Sequence, residues 1–272
     1  MEPCTGIAWQ PGKARCITSE ASIRCFRLRE ATVSVDVLPP QTRQFQKLFQ
    51  ELVQELAKES LMTGPAAPDA LDLAALLCSR VCHDLISPVG AIVNGLEVLD
   101  DNPTPDDREF ALGLIRKSAR NASAKLQFCR LAFGAAGSAG AQIDTGDAEN
   151  MARGVIEDDK TKITWGLPRL LLPKNRVKLL LNMLIVAQQT IPRGGSLSVT
   201  PVGEGDTMAF EIKAIGPNAR LPQNIMDLLA GSHPAAIDAH AVQPHYTRLL
   251  AQACGLTVTL RMDGETVIIA AA

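Results

Sequence analysis

Residues 82–99, CHDLISPVGAIVNGLEVL, place a histidine next to an aspartate, with a serine–proline pair one helical turn further on. Those residue types suit nucleophilic chemistry. An imidazole has an ordinary pKa of ~6.5, so near neutrality one ring nitrogen carries a lone pair and can attack an electrophile. A neighbouring carboxylate can accept a hydrogen bond from the other ring nitrogen, which fixes the tautomer and supports positive charge as it develops. In this chain the pair is His83 and Asp84, with Ser87 one turn away. Pro88 removes a backbone donor and clashes with the carbonyl four residues earlier, at a cost of ~3 kcal/mol. That carbonyl belongs to Asp84, so the bend falls beside the pair. Gly90 leaves the next turn bare for a bulky partner, although a helix glycine costs ~1 kcal/mol. A harmless kink and a solvated surface histidine are the bland alternatives.

The helix that must carry these residues decides between faces. Each residue advances an α-helix by ~100°. With His83 as origin, Ser79, Arg80, Ser87, Gly90, Asn94 and Glu97 fall within ~60° of it, with Leu76 and Ile86 the apolar exceptions. Ala74, Cys78, Val81, Leu85, Ile92, Leu96 and Leu99 lie on the opposite side. His83 therefore projects from a polar stripe and not from a core seam. Arg80, Ser87 and Pro88 are the candidate supporting residues, and Gly90, Asn94 and Glu97 the candidate docking surface for a partner.

This helix is expected from about Asp69 to Asp101. A second follows Thr104-Pro105-Asp106-Asp107, which supplies a cap, a first-turn proline and acids for the helix dipole. It runs to about Phe133. The short link Asn102-Pro103 makes the two antiparallel neighbours. In the second helix Ala111, Ile115, Ala119, Ala122, Leu126, Cys129 and Phe133 recur at steps of four and three, which is coiled-coil spacing. A lone hairpin of this kind has little core. Pairing two hairpins in a homodimer would bury both seams in a four-helix bundle, and packing on the rest of the chain is the alternative.

The whole chain sets the frame. Its 272 residues hold one large domain or two small ones. A formal charge of −2 gives no basic excess, so neither nucleic acid nor an anionic membrane is an expected partner. Seven cysteines at irregular spacing, with no leader-like start, indicate a reducing cytoplasm. No apolar run reads as long enough to span a bilayer. Residues 1–67 form an N-terminal extension expected to be poorly ordered, with an amphipathic helix at about 42–60, and Met62 is a possible alternative start. The hairpin occupies 68–134, and a Gly/Ala/Ser-rich linker ends at Gly140.

Residues 141–272 read as a second domain of different character. Helices are expected at about 147–159, 175–190, 223–229 and 245–253. Strands are expected at about 162–166, 196–202, 207–214, 256–261 and 265–270, with hairpin turns at Gly203–Asp206 and Asp263-Gly264. The fold class is α+β, a helical hairpin followed by helices on one face of an antiparallel-rich sheet.

His83-Asp84-Leu85-Ile86-Ser87-Pro88 resembles the H-box of histidine-kinase dimerisation and phosphotransfer domains. The longer HDLISPVGAIVNGLEVL is similar to the ChpT-type histidine phosphotransferases of alphaproteobacteria, and the likeness covers about Pro68 to Ala272. The resemblance implies a homodimer with a central four-helix bundle and a C-terminal domain shaped like a kinase ATPase domain. It implies His83 as phosphoacceptor and Asp84 as its acid/base partner. It also implies partners: the receiver of a CckA-like hybrid histidine kinase as donor, and CtrA-like and CpdR-like response regulators as acceptors. No cofactor of its own is implied, and Mg²⁺ is expected on the receiver.

Set against that resemblance, the ATP motifs of the second domain are missing. Val186 stands where the Mg-binding asparagine belongs, with Asn182 one turn earlier, and Ala214 stands where an aspartate would read adenine. His240-Ala241-Val242-Gln243-Pro244-His245 does not read as a glycine-rich lid. Valine cannot ligate Mg²⁺, which needs oxygen ligands, and without glycine-loop amides a triphosphate has no cradle. An atypical active kinase and a non-catalytic dimeric scaffold for receivers remain the competing readings. Gly194-Gly195 reads as a turn before a strand. His233, His240 and His245 lack metal spacing, and Cys78 with Cys82 read as packing residues.

Overall fold

A computed structural model describes residues 68–101, 103–134, 141–204, 207–232 and 237–272. The extension 1–67, with its expected helix, and most of the linker lie outside the described residues, as does His233.

Helix α1 spans Ala70–Asp100 and α2 spans Pro105–Ala132. The Asp69 carboxylate accepts from the amides of Leu71 and Asp72 to start α1. Thr104 caps α2 in the same way through the Asp107 amide, and Pro105 fills the first turn. Both caps satisfy donors that a helix start otherwise leaves orphaned. The two helices pack side by side at Gly95, where a Cβ would stand 2.6 Å from Ile115 Cγ1.

The second domain is a sandwich. Its elements are β1 (Gln142–Asp144), α3 (Thr145–Ile156), β2 (Thr161–Trp165), β3 (Leu171–Pro173), α4 (Lys174–Thr190), β4 (Gly195–Val202), β5 (Ala209–Ile215), α5 (Gln223–Ala230), α6 (Val242–Ala253), β6 (Val258–Asp263) and β7 (Thr266–Ala271). Five strands form one sheet in the order β2-β4-β5-β7-β6. Only β2 and β4 run parallel; the other pairs are antiparallel. The register aligns Leu197, Ala214 and Val267 in one row and Val199, Ile212 and Ile269 in another. All six are fully buried, beneath an α4 whose Leu179, Leu180, Met183, Val186 and Ala187 are buried too. Alternation along the strands and an apolar helix above them thus account for the core.

Four features differ from the sequence reading. A two-stranded ribbon, β1 against β3, was not expected. Helix α3 starts earlier than 147–159, because Asp144 caps it through the Gly146 amide, and it ends earlier, where Glu157 turns extended. Helix α6 starts at Val242 and not at 245: Pro244 sits in its first turn, where the missing N–H costs nothing. The fourth concerns α1, whose length and mean hydropathy do reach the range of a membrane-crossing helix. It also carries a mid-helix Arg80–Asp84 ion pair and packs along α2. Gly194-Gly195 does form a turn into β4. Gly194 has φ 85°, and a Cβ on Gly195 would run into the Ile215 carbonyl.

The apolar surface of α1 is divided. The side buried on α2 is centred on Pro88 and Gly95. A second stripe, Ile86, Val89 and Leu96, is exposed, as are Cys78 and Cys82 alongside it. On α2, Ala119 and Leu126 are exposed and Ile115 and Ala122 half-buried. Among the described residues the expected seams are therefore not closed.

Candidate active site

His83 stands at the middle of α1 with its side chain 57% exposed. Its Nδ1 lies 3.4 Å from Asp84 Oδ1, a long contact. A carboxylate accepts, so the arrangement suits a proton on Nδ1 and the lone pair on Nε2. Nε2 has no hydrogen-bond partner among the described residues. Asp84 Oδ2 accepts from Arg80 Nε at 3.0 Å, and the Arg80 side chain is only 14% exposed. Arg80, Asp84 and His83 thus form a chain along one face of the helix, with the carboxylate held between a permanent cation and the imidazole.

Pro88 is buried, and the carbonyl it deprives is Asp84 O. Lys125 of α2 takes that place: its Nζ donates to Asp84 O at 3.0 Å. A charge-assisted bond across the helix pair therefore replaces the lost intrahelical one and ties α2 to the turn that carries the pair. Beneath it lies Cys129. Burial pushes its thiol up to about 11, Asp84 pushes the same way, and Arg80 and Lys125 oppose. The thiol stays protonated and shielded, so Cys129 is expected to resist iodoacetamide at pH 8 until denaturant is added. Peptide mass mapping checks this; modification in the folded protein would mean that the α1–α2 junction opens.

Ser87 and Asn94 are exposed, while Gly90 and Glu97 are half-exposed on the same stripe. A Cβ at Gly90 would meet nothing within 4 Å, so no packing inside the chain requires a glycine there. Sequence reasoning missed two residues. Lys125 lies on the other helix, and no local pattern marks it. His240, which shows no metal spacing in the sequence, places its ring against that of His83.

In the sandwich, Val186 and Ala214 are fully buried members of the core. Asn182 is buried as well and turned to another use. Its Nδ2 donates to Ala132 O at the end of α2 and to Lys178 O, while its Oδ1 accepts from Gln243 Nε2 at 2.6 Å. Lys178 Nζ lies 3.5 Å from Phe133 O. Burial lowers its pKa, and Lys174 adds to the effect. Both side chains satisfy carbonyls that the helix end leaves open. Among the described residues no three His, Cys, Asp or Glu side chains gather to hold a metal ion.

Comparison with known proteins bears on this arrangement. Residues 145–266 match the histidine phosphotransferase C-terminal domain family. The protein phosphotransferase ChpT of Brucella abortus (strain 2308) is 52% identical over 211 residues, which is 77% of this chain and 100% of that protein. A solved 1.7 Å structure of a bacterial phosphotransferase superposes with a TM-score of 0.70 at 50% identity, over 77% of this chain and 100% of that one. With a hairpin that offers an open histidine and a sandwich that matches over its length, the chain belongs to the ChpT family of protein phosphotransferases.

Proposed function

We propose that this protein is the histidine relay of a phosphorelay, taking a phosphoryl group from a receiver aspartate onto His83 and passing it to an aspartate of a response regulator. The observation that carries this reading is the His83 imidazole on an open helix face, with Nδ1 against Asp84 and Nε2 free. In the forward step Nε2 attacks the phosphorus of the receiver's aspartyl phosphate. The N–P bond forms, the P–O bond to the aspartyl oxygen breaks, and the receiver regains its carboxylate. The proton stays on Nδ1, where Asp84 supports the cationic ring, and Arg80 keeps Asp84 in place. The second transfer is the reverse of the first on a different receiver. Mg²⁺ belongs to the receiver, where oxygen ligands can hold it. Gly90, Asn94 and Glu97 form the surface against which the receiver docks. By family likeness the donor is a CckA-like hybrid kinase receiver and the acceptors are CtrA-like and CpdR-like regulators, all in the cytoplasm.

The sandwich serves this role without nucleotide. Val186 and Ala214 are buried core side chains, and the resemblance to kinases puts them where polar groups for Mg²⁺ and adenine would be needed. The test is transfer from a radiolabelled receiver freed of ATP. Label is expected on this protein and then on a second receiver, and calorimetry is expected to show no saturable binding of Mg·ATP at micromolar concentration. No label on the protein would refute the relay, and saturable ATP binding would revive a kinase.

A further inference from the structure

We infer that His240, supplied by the sandwich, is a positioning residue for the His83 imidazole. The inference rests on the phosphotransfer reading above and adds a contributor from the other domain. The ring centroids of His83 and His240 are 4.7 Å apart and their planes meet at 79°, an edge-to-face contact of the kind that aromatic rings favour. Both rings are exposed, so the contact is no by-product of core packing.

His240 is held where it is by a short frame. Asp238 Oδ1 accepts from the amides of His240 at 2.9 Å and Ala241 at 2.7 Å, and the Asp238 carbonyl accepts from the Val242 amide. Val242 and Leu228 are fully buried beside Ile237, and this cluster packs against Leu73, Leu76 and Leu77 of α1. The next residue, Gln243, donates to Asn182, which donates in turn to the end of α2. The segment bearing His240 is thus fixed to both helices of the hairpin, to α1 about two turns before His83 itself.

The consequence for chemistry is orientation. An exposed histidine on a helix has several χ1 wells and a broad χ2. Asp84 restrains His83 at Nδ1 through a long contact only. His240 bounds the same ring from the side, so the two together keep Nε2 in one direction before a receiver arrives. Attack in line with the breaking P–O bond rewards that preorganisation, since a misplacement of ~1 Å costs up to ~100-fold. The inference also gives the sandwich a task that needs no nucleotide: it holds a ring against the acceptor.

The test uses the full chain and a phosphorylated receiver at saturation. His240→Ala is expected to slow transfer by ~10-fold while leaving the half-saturating receiver concentration unchanged. His240→Phe keeps a ring edge but no titrating proton, and is expected to transfer at the wild-type rate. Independently, the His83 ring Cε1–H resonance is expected to shift in His240→Ala as the ring current is lost. A wild-type rate in His240→Ala, an unmoved His83 resonance, or a His240→Phe variant as slow as His240→Ala would each overturn the inference while leaving the relay intact. Absence of label on the wild-type protein would overturn the relay and this inference together.

Discussion

His83→Gln is expected to accept no phosphoryl group from a labelled receiver while keeping the wild-type circular dichroism and thermal midpoint. The side chain is 57% exposed and makes no contact on which the hairpin depends, so its loss should be chemical and not structural. Glutamine has the length of histidine but its amide nitrogen is no nucleophile. Asp84→Asn should fall between the two. A neutral amide stabilises the cationic ring poorly and weakens the tie to Arg80, so transfer should slow by ~10²–10⁴-fold, the usual worth of acid–base assistance. Label on a folded His83→Gln variant at the wild-type rate would remove the central claim.

The four-helix bundle that the family resemblance implies is tested by Leu96→Glu combined with Leu126→Glu, which is expected to turn dimers into folded monomers. Leu96 is 48% and Leu126 55% exposed, on faces of α1 and α2 that no other described residues cover. Burying a leucine stabilises by ~1.5–3 kcal/mol, and a symmetric interface counts each substitution twice. Loss of four such contacts, with carboxylates in their place, should weaken association by more than ~1,000-fold. Sedimentation velocity at micromolar concentration reads the result, and unchanged circular dichroism separates dissociation from unfolding. A wild-type protein that sediments as a monomer would dismiss the four-helix bundle.

Much of this architecture is legible in the sequence, for local reasons. Asp69 and Thr104 announce their helices, since a cap is a short-range hydrogen bond. Strand β2 and the middle of β4 and β5 alternate between buried and more exposed residues, and the hairpin turns carry glycines. What escapes is non-local. The strands of the β1–β3 ribbon are three residues each, too short for any period to register. The face of α1 that meets α2 is turned from the side opposite His83 toward Pro88 and Gly95. Apolar residues cover more than half of that helix, and a helical projection cannot say which part a neighbour takes. At the site, His83, Asp84 and Arg80 are neighbours in sequence and could be read together. Lys125 and His240 reach the same turn from other elements, and only the fold shows that they do.

The hydrogen bonds from Asn182 and Lys178 to the end of α2 have a thermodynamic consequence. Near its C-terminus α2 buries Phe128, Cys129, Leu131 and Ala132, and its last carbonyls are held by side chains rooted in the sandwich core. Near its start only Ala111 is buried, and Phe110 is 72% exposed. A single continuous helix is therefore split between two cooperative units. Its final turns can open only when the sandwich opens, whereas its first turns fray on their own unless another surface covers them. Amide exchange along α2 should accordingly slow from one end to the other, a gradient of local stability within a helix that its hydrogen-bond ladder alone would make uniform.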